Sequence, residues 1–73
     1  EVDFYLPESR QLIQVAQHLE NPTTREREFR AVEDALKGIP VHSVLILAST
    51  NEDDREINGV PVEVRSVSEW LLQ

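Results

Sequence analysis

The sequence predicts an α/β domain with a mixed sheet, its elements in the order β-β-α-β-(β)-α. Three observations predict it. Two short alternating segments flank a turn at Pro7-Glu8-Ser9-Arg10. A charged segment with helical spacing then follows Asn21-Pro22, and an uninterrupted apolar run, Val44 to Ala48, comes after it. A helix between two strands implies a crossover and a parallel strand pair.

Val2-Asp3-Phe4-Tyr5-Leu6 alternates, with Val2, Phe4 and Leu6 on one face and Asp3 and Tyr5 on the other. Gln11-Leu12-Ile13-Gln14-Val15-Ala16 resumes strand character after the turn, which makes a hairpin. If Leu6 pairs with Gln11, Asp3 faces Gln14, and directly paired side chains share a sheet face. Alternation places Ala16 on that face too. The hairpin is therefore expected to present Asp3, Gln14 and Ala16 together.

The helix has two candidate starts. Thr23 with Glu26 fits a capping box, and Asn21 with Pro22 in the first turn fits an Asx cap. It should run to about Lys37, with Gly38 ending it. Phe29, Val32, Leu36 and Ile39 recur at helical spacing and should face the sheet. Glu26–Arg30 and Glu33–Lys37 are i,i+4 pairs in the favoured order. Arg25, Arg27 and Arg30 alternate with acids, so the segment between Asn21 and Gly38 is neutral and reads as an ion-paired face rather than a phosphate site.

Val44-Leu45-Ile46-Leu47-Ala48 suits a central strand covered on both faces. Thr50 to Glu56 reads as a polar, acidic loop. Its Glu52-Asp53-Asp54 run lacks the ligand spacing of a calcium loop and is expected to be solvated. Asn58-Gly59 signals a tight turn. Val62-Glu63-Val64-Arg65 alternates as a further strand, with Pro61 placing its start at an edge. Ser66 with Glu69 forms a second capping box before a short helix carrying Trp70, Leu71 and Leu72. Trp70 reads as a core anchor; an exposed Trp70 points instead to an interface.

Composition narrows the function. The 73 residues carry 14 acidic and 7 basic side chains, a formal charge of −7, with no Cys and no Met. Residues 1–20 contribute −3, residues 21–38 zero and residues 39–73 −4. Such a surface disfavours nucleic acid, whose phosphates demand Lys and Arg. Zero Cys removes thiol chemistry and Cys-ligated zinc and fits a reducing cytoplasm. No run reaches the roughly 20 apolar residues of a membrane span. With no initiator Met, residues 1–73 are expected to be one domain excised from a longer protein.

The ordered set of Asp3 on one hairpin strand, Gln14-Val15-Ala16 on the next, and the helix and apolar strand after them resembles the PD-(D/E)XK nuclease superfamily. Glu1-Val2-Asp3-Phe4, Ile13-Gln14-Val15, Thr24-Arg25-Glu26-Arg27-Glu28 and the Val64-to-Leu72 segment resemble, more narrowly, the C-terminal nuclease-like domain of prokaryotic AAA-type ATPases. The resemblance implies a restriction-endonuclease-like core fragment. Asp3 stands as the first acid, and Gln14-Val15-Ala16 stands where the family has Glu-x-Lys. In active members the carboxylates hold Mg²⁺ or Mn²⁺ and the lysine assists water attack. Gln14 offers a neutral carbonyl and Ala16 no functional group, so the site is degenerate. Glu1 and Asp3 remain the weak metal candidates, and no cofactor is expected. Lys37, the only lysine, lies late on the helix. His18 follows the hairpin near the mouth of that cleft, and His42 precedes the buried strand.

The resulting expectation is a non-catalytic, nuclease-like accessory domain of a larger cytoplasmic ATPase. It docks to a protein partner, to other domains of its parent or to a copy of itself. The alternatives are a metal-dependent nuclease with a rearranged site and an independent acidic interaction module.

Overall fold

The computed structural model describes residues 4–72. A five-stranded mixed sheet carries one long helix on one face and a short helix on the other. The strands are β1 (Phe4–Leu6), β2 (Gln11–Val15), β3 (Ser43–Ala48), β4 (Glu52–Ile57) and β5 (Val60–Ser66). The helices are α1 (Pro22–Gly38) and α2 (Val67–Leu71). The spatial order is β1-β2-β3-β5-β4. The outer pairs β1/β2 and β4/β5 are antiparallel, and β2/β3 and β3/β5 are parallel.

The hairpin has the anticipated register, with Phe4 opposite Ile13, Tyr5 opposite Leu12 and Leu6 opposite Gln11. Tyr5 turns to the core side, where its hydroxyl donates to the Pro40 carbonyl at 2.6 Å. Phe4 and Leu6 turn to the opposite face. Glu1, Val2 and Asp3, and with them the pairing of Asp3 with Gln14, lie outside the described residues.

Asn21, rather than the Thr23–Glu26 box, caps α1. Its side-chain oxygen accepts from the Thr23 and Thr24 amides at 2.9 and 3.1 Å, and Pro22 opens the helix. An Asx cap satisfies two of the first free amides at once, which leaves the box nothing to add. The helix includes Gly38; Ile39 is the C-cap, with its amide donating to the Ala35 carbonyl at 3.0 Å. Lys37 pairs with Asp34 at 3.9 Å rather than with Glu33, while Glu26–Arg30 forms at 3.4 Å.

The core lies between α1 and the sheet. Leu12 and Ala16 of the β2 segment, Val44, Ile46 and Ala48 of β3, Val62 and Val64 of β5, Leu19 and Val32 build it. Phe29, Ala35 and Leu36 pack against it from the helix. β3 lies between β2 and β5 with Val44 to Ala48 all buried, as an unbroken apolar run requires.

Glu52 to Ile57 is a strand, not the expected loop. It is an edge strand of low intrinsic β-propensity, held by its pairing with β5 and by ion pairs, with a register shift between Glu52 and Arg55. Asn58 (φ 52°) and Gly59 (φ 82°) make the two-residue turn to β5, where positive φ at both positions matches a type I′ turn. β5 is consequently internal rather than at an edge. Pro61 is tolerated because the ladder to β3 begins only at Val62, and because it pairs with Glu56 next to the hydrogen-bonded pair that closes the turn.

Ser66 caps α2, its hydroxyl accepting from the Glu69 amide at 3.4 Å. The return half of the box is relayed. Asn51 accepts from the Ser66 amide at 2.6 Å and donates to the Glu69 carboxylate at 2.8 Å.

Candidate functional site

Gln14 and Ala16 share a sheet face, as strand alternation requires, and that face is the one beneath α1. Gln14 is 1% exposed. Its side-chain amide donates to the Glu28 carboxylate and, at 3.4 Å, to the Glu28 backbone carbonyl. Its own carbonyl oxygen is buried without a hydrogen-bond partner. Ala16 belongs to the core, and its amide donates to the Leu47 carbonyl at 2.9 Å. It also borders a shallow depression of about 310 Å³ beyond the carboxyl ends of the parallel strands β2 and β3, with Gln17, His18, Glu20, Ala48 and Ser49. In α/β sheets ligands enter at such strand ends. His18 sits there in the left-handed region (φ 61°), 3.5 Å from the Glu20 carboxylate, and both side chains are largely exposed.

The described residues around Gln14 do not fit a divalent cation. Among them, the groups that meet at Gln14 are one carboxamide and one carboxylate, and the carboxylate is engaged by the amide. A hard cation needs six or more oxygens, several of them anionic. Among the described residues no three His, Asp or Glu side chains converge. Glu1 and Asp3 lie outside the described residues, and His42 is exposed just before β3.

The arginines of α1 have structural partners. Arg25 makes a two-pronged contact with Glu52, at 2.6 and 2.5 Å, and Arg55 reaches the same carboxylate at 3.0 Å. Both guanidiniums lie over the Phe29 ring, 5.1 and 4.6 Å from its centre. This cluster ties edge strand β4 to α1. The hydrogen bonds from Arg25 hold the Glu52 carboxyl below its ordinary value against the opposing effect of burial. A lowered folded-state value means that the contribution is present above the unfolded value and fades as pH falls through the folded one. Glu52→Gln is expected to cost about 1 kcal/mol at pH 7, as a half-buried ion pair does. Urea midpoints of variant and parent should converge as pH falls below the ordinary glutamate range; a gap that stays constant through that fall rules the ion pair out as the source.

Among the described residues, the opposite sheet face is apolar and uncovered. Phe4, Leu6, Ile13, Val15, Leu47 and Trp70 line a groove of about 420 Å³. Phe4 is 59% exposed and Trp70 37%. Leu71 and Leu72 stand more exposed still at the end of α2. Trp70 is thus a partly exposed wall of this groove rather than a core anchor. The alternation that puts Leu12 and Gln14 inward puts Ile13 and Val15 outward, so β2 is apolar on both sides. That sequence signal marks the groove, although attention to Gln14 and Ala16 passes over it. No helix among the described residues is long and apolar enough to cross a membrane.

The chain matches no family model, no curated protein and no solved structure.

Proposed function

We propose that this chain is a non-catalytic, nuclease-like accessory domain of a larger ATPase, and that it works by docking a protein on its open sheet face. The observation that carries the docking role is the groove of Phe4, Leu6, Ile13, Val15, Leu47 and Trp70, a contiguous surface lined by apolar side chains alone. Support for the nuclease-like part is the order hairpin, helix, parallel strand, together with the sequence resemblance that sets Gln14 of β2 and Ala16 just after it against the family's Glu-x-Lys. Support for the lack of catalysis is chemical. Neither side chain supplies a charge, and Gln14 is sealed under α1.

Two measurements test the reading. Titration calorimetry with Mn²⁺ is expected to give no saturable heat, and supercoiled plasmid with Mn²⁺ should stay intact. Binding that Asp3→Ala abolishes, together with nicking, replaces this reading with the rearranged nuclease. On the open face, Val15→Asp is expected to leave a folded chain melting within a few degrees of the parent. An unfolded variant makes that face part of the structural core and removes the docking role.

A further inference from the structure

We infer that the open face accepts one basic amphipathic helix of a protein partner, laid along the β1-β2-β3 strip against Trp70; this rests on the docking role proposed above.

Shape gives the first argument. The apolar strip spans three strands, and two interstrand spacings of about 4.8 Å make it about 10 Å wide. The five residues of β2 and six of β3 make it about 17 Å long there, and the three residues of β1 line about 10 Å of that length. An α-helix with its side chains is about 10 Å across, and 11 residues of it span about 17 Å. The groove thus has the footprint of one helix of about three turns.

Charge gives the second. Leu45 pairs with Glu63 and Leu47 with Arg65, so β5 turns these charged residues to the same face as the groove. Glu56, opposite Pro61, shares that face, and Asp54 reaches Arg65 at 2.8 Å. Three acids against one base leave this flank at −2, and Arg65 is already engaged by Asp54 and by Glu63 at 3.4 Å. Glu56 and Glu63 are exposed. A helix with its apolar stripe in the groove lies on the same sheet face as these carboxylates, with α2 standing over β3 and β5, and their field attracts Lys and Arg and repels Glu and Asp. A second copy of this chain carries a net charge of −7 of its own, which repels this face.

Trp70 is the only tryptophan and lines the groove, so its emission reports occupancy directly. The probe is an 18-residue Leu/Lys peptide of helical periodicity without Trp, compared with its Leu/Glu counterpart. The Leu/Lys peptide should shift Trp70 emission to the blue saturably and bind at least tenfold tighter than the Leu/Glu peptide at low salt. Val15→Asp should abolish the shift although it makes the protein more acidic, which separates groove binding from general charge attraction. Glu56→Lys with Glu63→Lys should weaken Leu/Lys binding at least tenfold while circular dichroism shows the fold intact. Equal binding of both peptides overturns the basic helix and leaves the docking role standing. A dimer in sedimentation that Val15→Asp dissociates makes a second copy the occupant and overturns the inference as well. No shift with either peptide on a folded monomer overturns the inference alone; the docking role falls separately, if Val15→Asp unfolds the chain.

Discussion

Gln14→Glu is expected to destabilise the domain by about 3–5 kcal/mol at neutral pH, because it puts a carboxylate at a buried position. Gln14 is sealed under α1, and its side-chain amide faces the Glu28 carboxylate. Exchanging that donor for a second carboxylate sets a buried anion against the half-buried Glu28 carboxylate. The buried acid answers by holding its proton, so its folded-state value rises above the unfolded one. The penalty is then small at low pH, grows as pH rises past the ordinary glutamate value and levels off above the folded one. Urea denaturation from pH 4 to pH 8 should show the gap to the parent widening with pH. Gln14→Met is the companion variant. It removes the amide oxygen that has no partner, and half-buried Glu28 can turn to water, so the change should be neutral or stabilising by about 1 kcal/mol. A Gln14→Glu chain that stays as stable as the parent at pH 8 and gains Mn²⁺ binding shows a working cleft at this position. The degenerate-site reading then fails.

Much of this fold is visible in the sequence because local chemistry and tertiary context agree. The apolar run Val44 to Ala48 has one use in a small α/β domain, the buried central strand, and it is used so. Asn58-Gly59 specifies its turn because both residues tolerate positive φ. A four-residue turn fixes the hairpin register from Phe4–Ile13 to Leu6–Gln11. Strand β4 is not visible in this way. Glu52-Asp53-Asp54-Arg55-Glu56 has no strand periodicity, and it is extended because β5 offers a free edge and Arg25 grips Glu52 across 27 residues of chain. Such contacts leave no trace in a local window. The site shows the same division. That Gln14 and Ala16 share a face follows from alternation alone, but which face α1 covers depends on the helix crossing the sheet. Trp70 is read from sequence as an anchor because an isolated aromatic in a short helix usually is one. The neighbours that make it a groove wall, Phe4 and Val15, come from the other end of the chain.

Ile46→Ala is expected to cost about 2–5 kcal/mol. Ile46 is fully buried, paired with Gln14 on one side and Val64 on the other, at the centre of the sheet. The loss combines the transfer energy of three carbons with a cavity that neighbours on paired strands cannot collapse to fill. For 73 residues the whole folding free energy is about 4–11 kcal/mol, so this one change takes a large share of it. Val15→Thr is the contrasting change, since Val15 lies on β2 one residue from Gln14 but faces the groove. An open-face position should lose no more than about 0.5 kcal/mol. The urea midpoint should therefore fall sharply for Ile46→Ala, with the slope unchanged, and hardly move for Val15→Thr. Equal losses mean that both sheet faces stabilise the fold, which leaves no surface free to dock a partner. The double variant Gln14→Met with Ile46→Ala sharpens the argument. The two side chains are paired neighbours on one face, and a flexible thioether can lean into the space that Ile46 vacates. Its loss should be at least about 0.5 kcal/mol smaller than the sum of the single changes. Strict additivity indicates that position 14 does not share the packing of the central strand, and the burial argument for Gln14→Glu weakens with it.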